Sequence, residues 1–176
     1  MRPEYIREPA VSERVDAELR ELISGCFTQP SNAFFRERRY AHEMPLHRYL
    51  LRDSRERLVA HVAVHEKRVG VGDVDIIIGG IAEVCVHETQ RGRGVARQLL
   101  DEAHRGLVLE GINFALLFGE MRLYASSGYQ PLAAVIRRLD IATQRFESAP
   151  SQLALYKPLS ERPWPEGAVD LRGPMF

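Results

Sequence analysis

The 176-residue chain has only 2 cysteines, 1 tryptophan and 4 methionines, and its 24 Lys+Arg balance 24 Asp+Glu. Cys26 and Cys85 are too few for a disulfide scaffold and lack Cys-x-x-Cys spacing, so both are expected to be small buried hydrophobes. A formal net charge of zero argues against binding nucleic acid through bulk positive charge. No apolar run reaches the ~18 residues a bilayer span needs, because Asp73, Asp75 and Glu83 interrupt the most hydrophobic stretch, Val69 to Val86. Membrane partners are therefore not expected. The first residues, Met1-Arg2-Pro3-Glu4-Tyr5, carry charge where a signal peptide needs apolar residues, which suggests a cytoplasmic protein. Lysine is confined to Lys67 and Lys157, and this bias toward arginine carries no chemical message.

What is present is the length of one domain, 45% hydrophobic and 27% charged, able to bury its own core. Residues 4–7 read as a short strand. Ser12 reads as the N-cap of a helix with Val15, Leu19, Leu22, Ile23 and Cys26 on its apolar face. Residues 28–45, with proline near both ends and Phe34, Phe35 and Tyr40 between, read as a loop with a short helix. Three meander strands follow, 47–52, 58–69 and 74–86, joined by short polar or glycine turns. After Gly94 the period becomes helical, through Val95, Leu99, Ala103 and Leu107, with Gly111 as the stop. A buried strand at 114–118, a helical turn around Tyr124, a strand from Tyr129 and a last strand at 152–157 complete the core. The proline-rich segment 158–176 is expected to run extended over the surface, its Trp164 anchored in a surface groove rather than lining a pocket.

The most informative segment is Val84-Cys85-Val86-His87-Glu88-Thr89-Gln90-Arg91-Gly92-Arg93-Gly94-Val95-Ala96. A buried strand runs into a glycine-rich turn and then a helix. Glycines let the backbone approach a ligand, and the first helical turn offers unpaired N–H groups and a positive dipole end to a phosphate. Arg91 and Arg93 would add charge-assisted bonds. The segment lacks both the third glycine of a dinucleotide fingerprint and the Gly-Lys-Ser/Thr ending of a P-loop.

Arg91-x-x-Gly94-x-Ala96 resembles the pyrophosphate motif of the GNAT (GCN5-related N-acetyltransferase) superfamily. Arg122-Leu123-Tyr124-Ala125-Ser126-Ser127-Gly128-Tyr129 resembles that family's element after its fifth strand. The resemblance spans roughly 58–132. It departs at Glu88, where the family often has proline, and in the short gap between Phe118 and Tyr124. It implies an α/β (α+β) fold with a mixed, mostly antiparallel sheet flanked by helices, whose fourth and fifth strands splay around acyl-CoA. Acetyl-CoA is the implied co-substrate, with the pantetheine arm on the backbone of Val84, Cys85 and Val86. The pyrophosphate would lie on Arg91, Gly92, Arg93, Gly94, Val95 and Ala96. A small-molecule primary amine is the implied acceptor, and a homodimer is left open.

An amine of pKa ~10 must lose a proton before it attacks a thioester, and a departing thiolate gains from a proton donor. Tyr124 matches the family tyrosine that commonly supplies that proton. Glu83 is the base candidate, but strand alternation points it away from the face of Ala82 and Val84 unless a β-bulge re-aims it. Glu120 with a water chain, and more weakly His65, are alternatives. His61 and His65 share a strand face but have no evident third ligand, so no metal is expected. Cys85 in an apolar strand reads as an inert thiol. Arg36, Arg38 and Arg39 read as a solvated face able to receive an acidic acceptor or the cofactor's 3′-phosphate. Residues 60–64 and the tyrosine element resemble aminoglycoside 2′-N-acetyltransferases. Residues 71–77 resemble the hairpin of nodulation-type N-acyltransferases, which use other acyl donors. A non-catalytic acyl-CoA-binding module of the same fold is the remaining alternative.

Overall fold

The computed structural model describes residues 3–176. The chain divides into two compact units: the chain up to Val64 with Ala82–Ala103, and His65–Ile81 with His104–Phe176.

In the first unit, β1 (Pro3–Arg7) pairs antiparallel with β2 (His47–Arg52), and β2 pairs antiparallel with the first half of β3 (Leu58–Val71). Helix α1 (Glu13–Cys26) starts at Ser12, whose Oγ accepts a hydrogen bond from the Val15 N–H at 3.3 Å. Glu13 and Asp16 in its first turn complement the positive end of the helix dipole. Its apolar face buries Leu19, Leu22 and Ile23 against Phe35, Leu50 and Leu58. Pro30 opens a 3₁₀ turn over Pro30–Arg36, which presents Phe35 to this core and packs it against Phe34 as a tilted pair with centroids 4.5 Å apart.

The second unit is built on the hairpin of the latter half of β3 and the first half of β4 (Val74–Val86), reversed at Gly72 with φ 54°. Beside β4 lies β5 (Phe114–Phe118), in parallel register at Gly79↔Ala115 and Gly80↔Leu116. Helix α2 (Val95–Leu109) ends in this unit, and its Leu107 lies over Gly79, where a Cβ would come within 2.2 Å of the leucine side chain. β5 pairs antiparallel with β9 (Ala154–Pro158), which also holds the two-residue β6 (Gln130–Pro131). On the other side of β3 come β10 (Val169–Asp170), β7 (Val135–Asp140) and β8 (Arg145–Pro150). The parallel pairs are β4 with β5 and β7 with β10, among antiparallel neighbours, giving the mixed, mostly antiparallel sheet flanked by helices that the sequence predicts. Among the described residues, no helix is long and apolar enough to cross a membrane.

Two departures have clear physical reasons. The segment 158–176 does not run over the surface: Val169 and Leu171 are fully buried, β10 inserts between β3 and β7, and Trp164 packs at 5.0 Å from both Phe114 and Tyr156. The β7–β8 hairpin has no signature in the sequence, because β8 is exposed throughout and β7 buries only Ile136.

Candidate active site

Within β4, Glu83 has φ 42°, a left-handed backbone rare for a residue bearing a side chain. Strict alternation is broken there. Ala82, Glu83 and Cys85 are all buried, while Val84 and Val86 are half-buried. Such a local kink is what a bulge produces, and it turns inward a carboxylate that regular pleating would have sent the other way. Glu83 Oε1 accepts the Ala41 N–H at 3.1 Å, whereas Oε2 is buried with no hydrogen-bond partner. Burial raises the carboxyl to about pH 7, against the opposing pull of the Arg48 guanidinium and the Ala41 N–H.

Beneath Glu83 lies a buried polar chain. Arg48, fully buried, donates through Nε to Glu8 and through Nη1 to His61 Nε2 at 3.0 Å, and His61 Nδ1 donates to the Glu83 carbonyl at 3.0 Å. These contacts fix the tautomer: the proton sits on Nδ1 and Nε2 accepts. Burial and the adjacent Arg48 hold His61 well below the usual imidazole range, so it stays neutral. Glu8 also binds Arg39, which reaches Asp16 as well. The expected solvated arginine face holds for Arg36 and Arg38, both exposed, but not for Arg39. Arg39 is consumed by Glu8 and Asp16, and Arg38 lies over the Phe34 ring at 4.6 Å.

At the end of β4, the His87 ring accepts the Thr89 N–H at 3.3 Å and starts a 3₁₀ turn over Glu88–Gln90. Gly92 and Gly94 follow with φ 72° and 74°, and an added Cβ at either would meet no atom within 4 Å. The Gly94 carbonyl accepts the Gln98 N–H at 3.0 Å, which makes Gly94 the N-cap of α2. The N–H groups of Val95, Ala96 and Arg97 are thereby left without intrahelical acceptors. Arg91 is turned back on the strand: Nε donates to the Val86 carbonyl at 3.0 Å and Nη2 lies 3.9 Å from Cys26 Sγ. Arg93 is exposed. A cleft of about 640 Å³ opens beside this loop, lined by α1 residues including Cys26, by 55–59 and by His87, Glu88 and Arg91.

Tyr124 belongs to the second unit. It ends α3 (Met121–Tyr124), half-buried, with its ring 5.9 Å from Tyr129 in edge-on packing. Gly119 makes room for it, since a Cβ there would come within 2.6 Å of Tyr124 Cε2. The Tyr129 hydroxyl lies 2.8 Å from His104 Nε2, and Lys157 Nζ lies 3.2 Å from His104 Nδ1. Burial and Lys157 hold His104 down at about 3. Glu120 is exposed and bound to Arg122 at 2.6 Å. His65 is buried against the Phe176 ring at 5.7 Å.

The first unit therefore gathers Glu83, Val84, Cys85, Val86 and the loop 91–96, while Tyr124 sits in the second. Sequence reasoning missed Glu8 and Arg48. A signal existed for Arg48, which directly precedes the apolar run Tyr49-Leu50-Leu51 inside a strand.

The chain belongs to the GNAT acetyltransferase family: the model of the acetyltransferase (GNAT) domain matches residues 10–132. In structure it is similar to a GNAT family N-acetyltransferase (YhbS) from Escherichia coli in complex with CoA, at TM-score 0.69 and 19% identity, over 97% of this chain and 90% of that one. A GNAT family acetyltransferase from Brucella melitensis in complex with acetyl-CoA gives TM-score 0.62 and 15% identity over 96% and 94%. A GCN5-related N-acetyltransferase from Anabaena variabilis gives TM-score 0.59 and 19% identity over 76% of this chain and 33% of that longer one. No curated protein matches the chain.

Proposed function

We propose that this protein transfers the acetyl group of acetyl-CoA directly to a primary amine of a small molecule. The observation that carries the reading is the pairing, in one unit, of a carboxylate raised to about 7 with an open glycine turn at a helix N-terminus. A base for an ammonium acceptor works best when its own pKa lies near the operating pH, as Glu83 does. The N–H groups that open α2 suit a diphosphate, and Gly92 and Gly94 leave the approach to them clear. Family membership, and neighbours crystallised with CoA or acetyl-CoA, favour this donor.

In this reading the backbone of Val84, Cys85 and Val86 holds the pantetheine arm and polarises the thioester carbonyl. Glu83 takes the proton of the attacking amine, and Tyr124 returns one to the departing thiolate. The small-molecule acceptor rests on the resemblance of residues 60–64 and 122–128 to aminoglycoside 2′-N-acetyltransferases. A cytoplasmic setting suits the acetyl-CoA pool that such a reaction draws on.

The deciding experiment is calorimetric titration with acetyl-CoA, CoA and ATP, followed by an amine panel with wild type and Tyr124→Phe. Saturable binding of both CoA species but not ATP is expected, with Tyr124→Phe losing about 10²-fold in rate at unchanged acetyl-CoA affinity. Absence of CoA binding would overturn the donor, and an unchanged Tyr124→Phe rate would remove the tyrosine from the chemistry.

A further inference from the structure

A chain of polar side chains runs through the second unit from β9 to Tyr129. Lys157, one of the two lysines in the sequence, is half-buried. Its Nζ donates to the Ser127 carbonyl at 2.7 Å and to His104 Nδ1 at 3.2 Å. An ammonium only donates, so Nδ1 accepts and the imidazole proton sits on Nε2, which donates to the Tyr129 hydroxyl at 2.8 Å. His104 and Tyr129 are both buried, and the held-down imidazole stays neutral, as this arrangement requires.

Both ends of this chain act on the segment that carries Tyr124. Ser127 closes the 3₁₀ turn Ala125–Ser127 directly after α3, and Gly128 follows with φ 84°. Lys157 Cε and Nζ come within 3.4 and 3.5 Å of where a Gly128 Cβ would lie, so the end of the lysine packs on the turn. Tyr129 comes next, its N–H donating to the Tyr124 carbonyl at 3.4 Å and its ring meeting the Tyr124 ring edge-on. One nitrogen that serves two acceptors suits the compact ammonium of lysine better than the planar fork of arginine, in a chain that otherwise prefers arginine.

We propose that Lys157, His104 and Tyr129 are positioning residues for Tyr124, fixing its turn through the Ser127 carbonyl and its ring through the Tyr129 ring. The inference rests on the reading of Tyr124 as proton donor to the departing thiolate. Proton delivery needs the phenol at hydrogen-bond distance from the sulfur, and a displacement of about 1 Å can cost ~10²-fold in rate. Tyr124 ends a four-residue helix whose Met121, Arg122 and Leu123 are exposed, so its own element offers little burial to hold it. The anchorage comes from buried His104 and Tyr129 instead.

The test combines NMR and kinetics on the full chain. In isotope-labelled wild type, His104 is expected to carry its proton on Nε2, and Lys157→Met is expected to shift the Tyr124 ring resonances and speed its ring flips. Lys157→Met should lower kcat about 10-fold with the acetyl-CoA KM unchanged, and should add no further loss in a Tyr124→Phe background. Tyr129→Phe, which keeps the ring and removes the hydroxyl, should behave in the same way, and it decides if Lys157→Met does not fold. A His104 proton on Nδ1, unmoved Tyr124 resonances, or a wild-type kcat in Lys157→Met where Tyr124→Phe is slow would each overturn the proposal. So would an equal loss from Lys157→Met with and without the Tyr124 hydroxyl, which marks a general structural effect. No turnover by wild type, or an undiminished Tyr124→Phe rate, would instead overturn the acetyl-transfer reading, and the NMR measurements would still decide whether the chain positions Tyr124.

Discussion

Glu83 is where backbone, burial and chemistry converge on one residue. A left-handed non-glycine residue within a strand costs on the order of 1–3 kcal/mol, and here it turns a carboxylate inward. The carboxyl is raised from an ordinary 4.5 to about 7, so the folded state holds its proton more tightly than the unfolded chain does. The associated stability is fully present below about pH 4.5 and is lost as pH rises through about 7, amounting to about 3 kcal/mol by pH 8. Glu83→Gln should therefore be more stable than wild type at pH 8 and nearly equal to it at pH 4, read from urea midpoints at the two values. The same substitution should lower kcat by at least about 10²-fold and abolish the rise of rate through pH 7. A flat wild-type profile across that range would dismiss Glu83 as the base. Arg48 offers the opposite case. Arg48→Met removes the cation between Glu8 and His61 and leaves the buried Glu8 carboxylate with Arg39 as its remaining cation, which should cost about 1–3 kcal/mol, read as a lowered urea midpoint.

At the scale of elements, the sequence was legible wherever period and punctuation agreed. Ser12 opens α1, and the stripe Val95, Leu99, Ala103 and Leu107 is buried on α2. The three meander strands lie within two residues of their expected ends, since alternating or continuous apolar runs bounded by turns leave few other folds. What could not be read was the inward turn of Glu83, a single φ set by packing, and the β7–β8 hairpin, whose exposed side chains leave no alternation. The glycines make the element-scale prediction. Gly79→Ala would drive a methyl to 2.2 Å from Leu107 and should cost about 1–3 kcal/mol as α2 is pushed off β4. Gly94→Glu has open space but places a side chain at φ 74° and a negative charge on the α2 N-cap. It should keep the fold, at a cost of about 1 kcal/mol, and lose acetyl-CoA binding in the calorimeter. Retained affinity would show that the turn is not the diphosphate site.

For the whole molecule, the hardest feature to foresee was how much of the second unit depends on the C-terminal segment. Pro158, Pro163, Pro165 and Pro174 give residues 158–176 the composition of a surface strap, and their apolar residues follow no helical or strand period. The apolar residues nevertheless reach the core singly. Trp164 closes over Phe114 and Tyr156, Val169 pairs with Val71 and Ile136, and Phe176 packs on Phe118 and against Gly80. Burying one large aliphatic or aromatic side chain is worth about 1.5–3 kcal/mol, and a native domain holds only about 5–15 kcal/mol in total. Losing Trp164, Val169, Leu171 and Phe176 together would remove a stabilisation of that same size. Truncation after Pro158 should therefore leave β3, β7 and Phe114 uncovered and the second unit unfolded, seen as lost amide protection across 104–158 in hydrogen exchange. Trp164→Ala, a milder cut, should lower the urea midpoint while leaving a folded chain. A truncated chain with unaltered protection would mean that the buried segment merely rests on a core already complete without it.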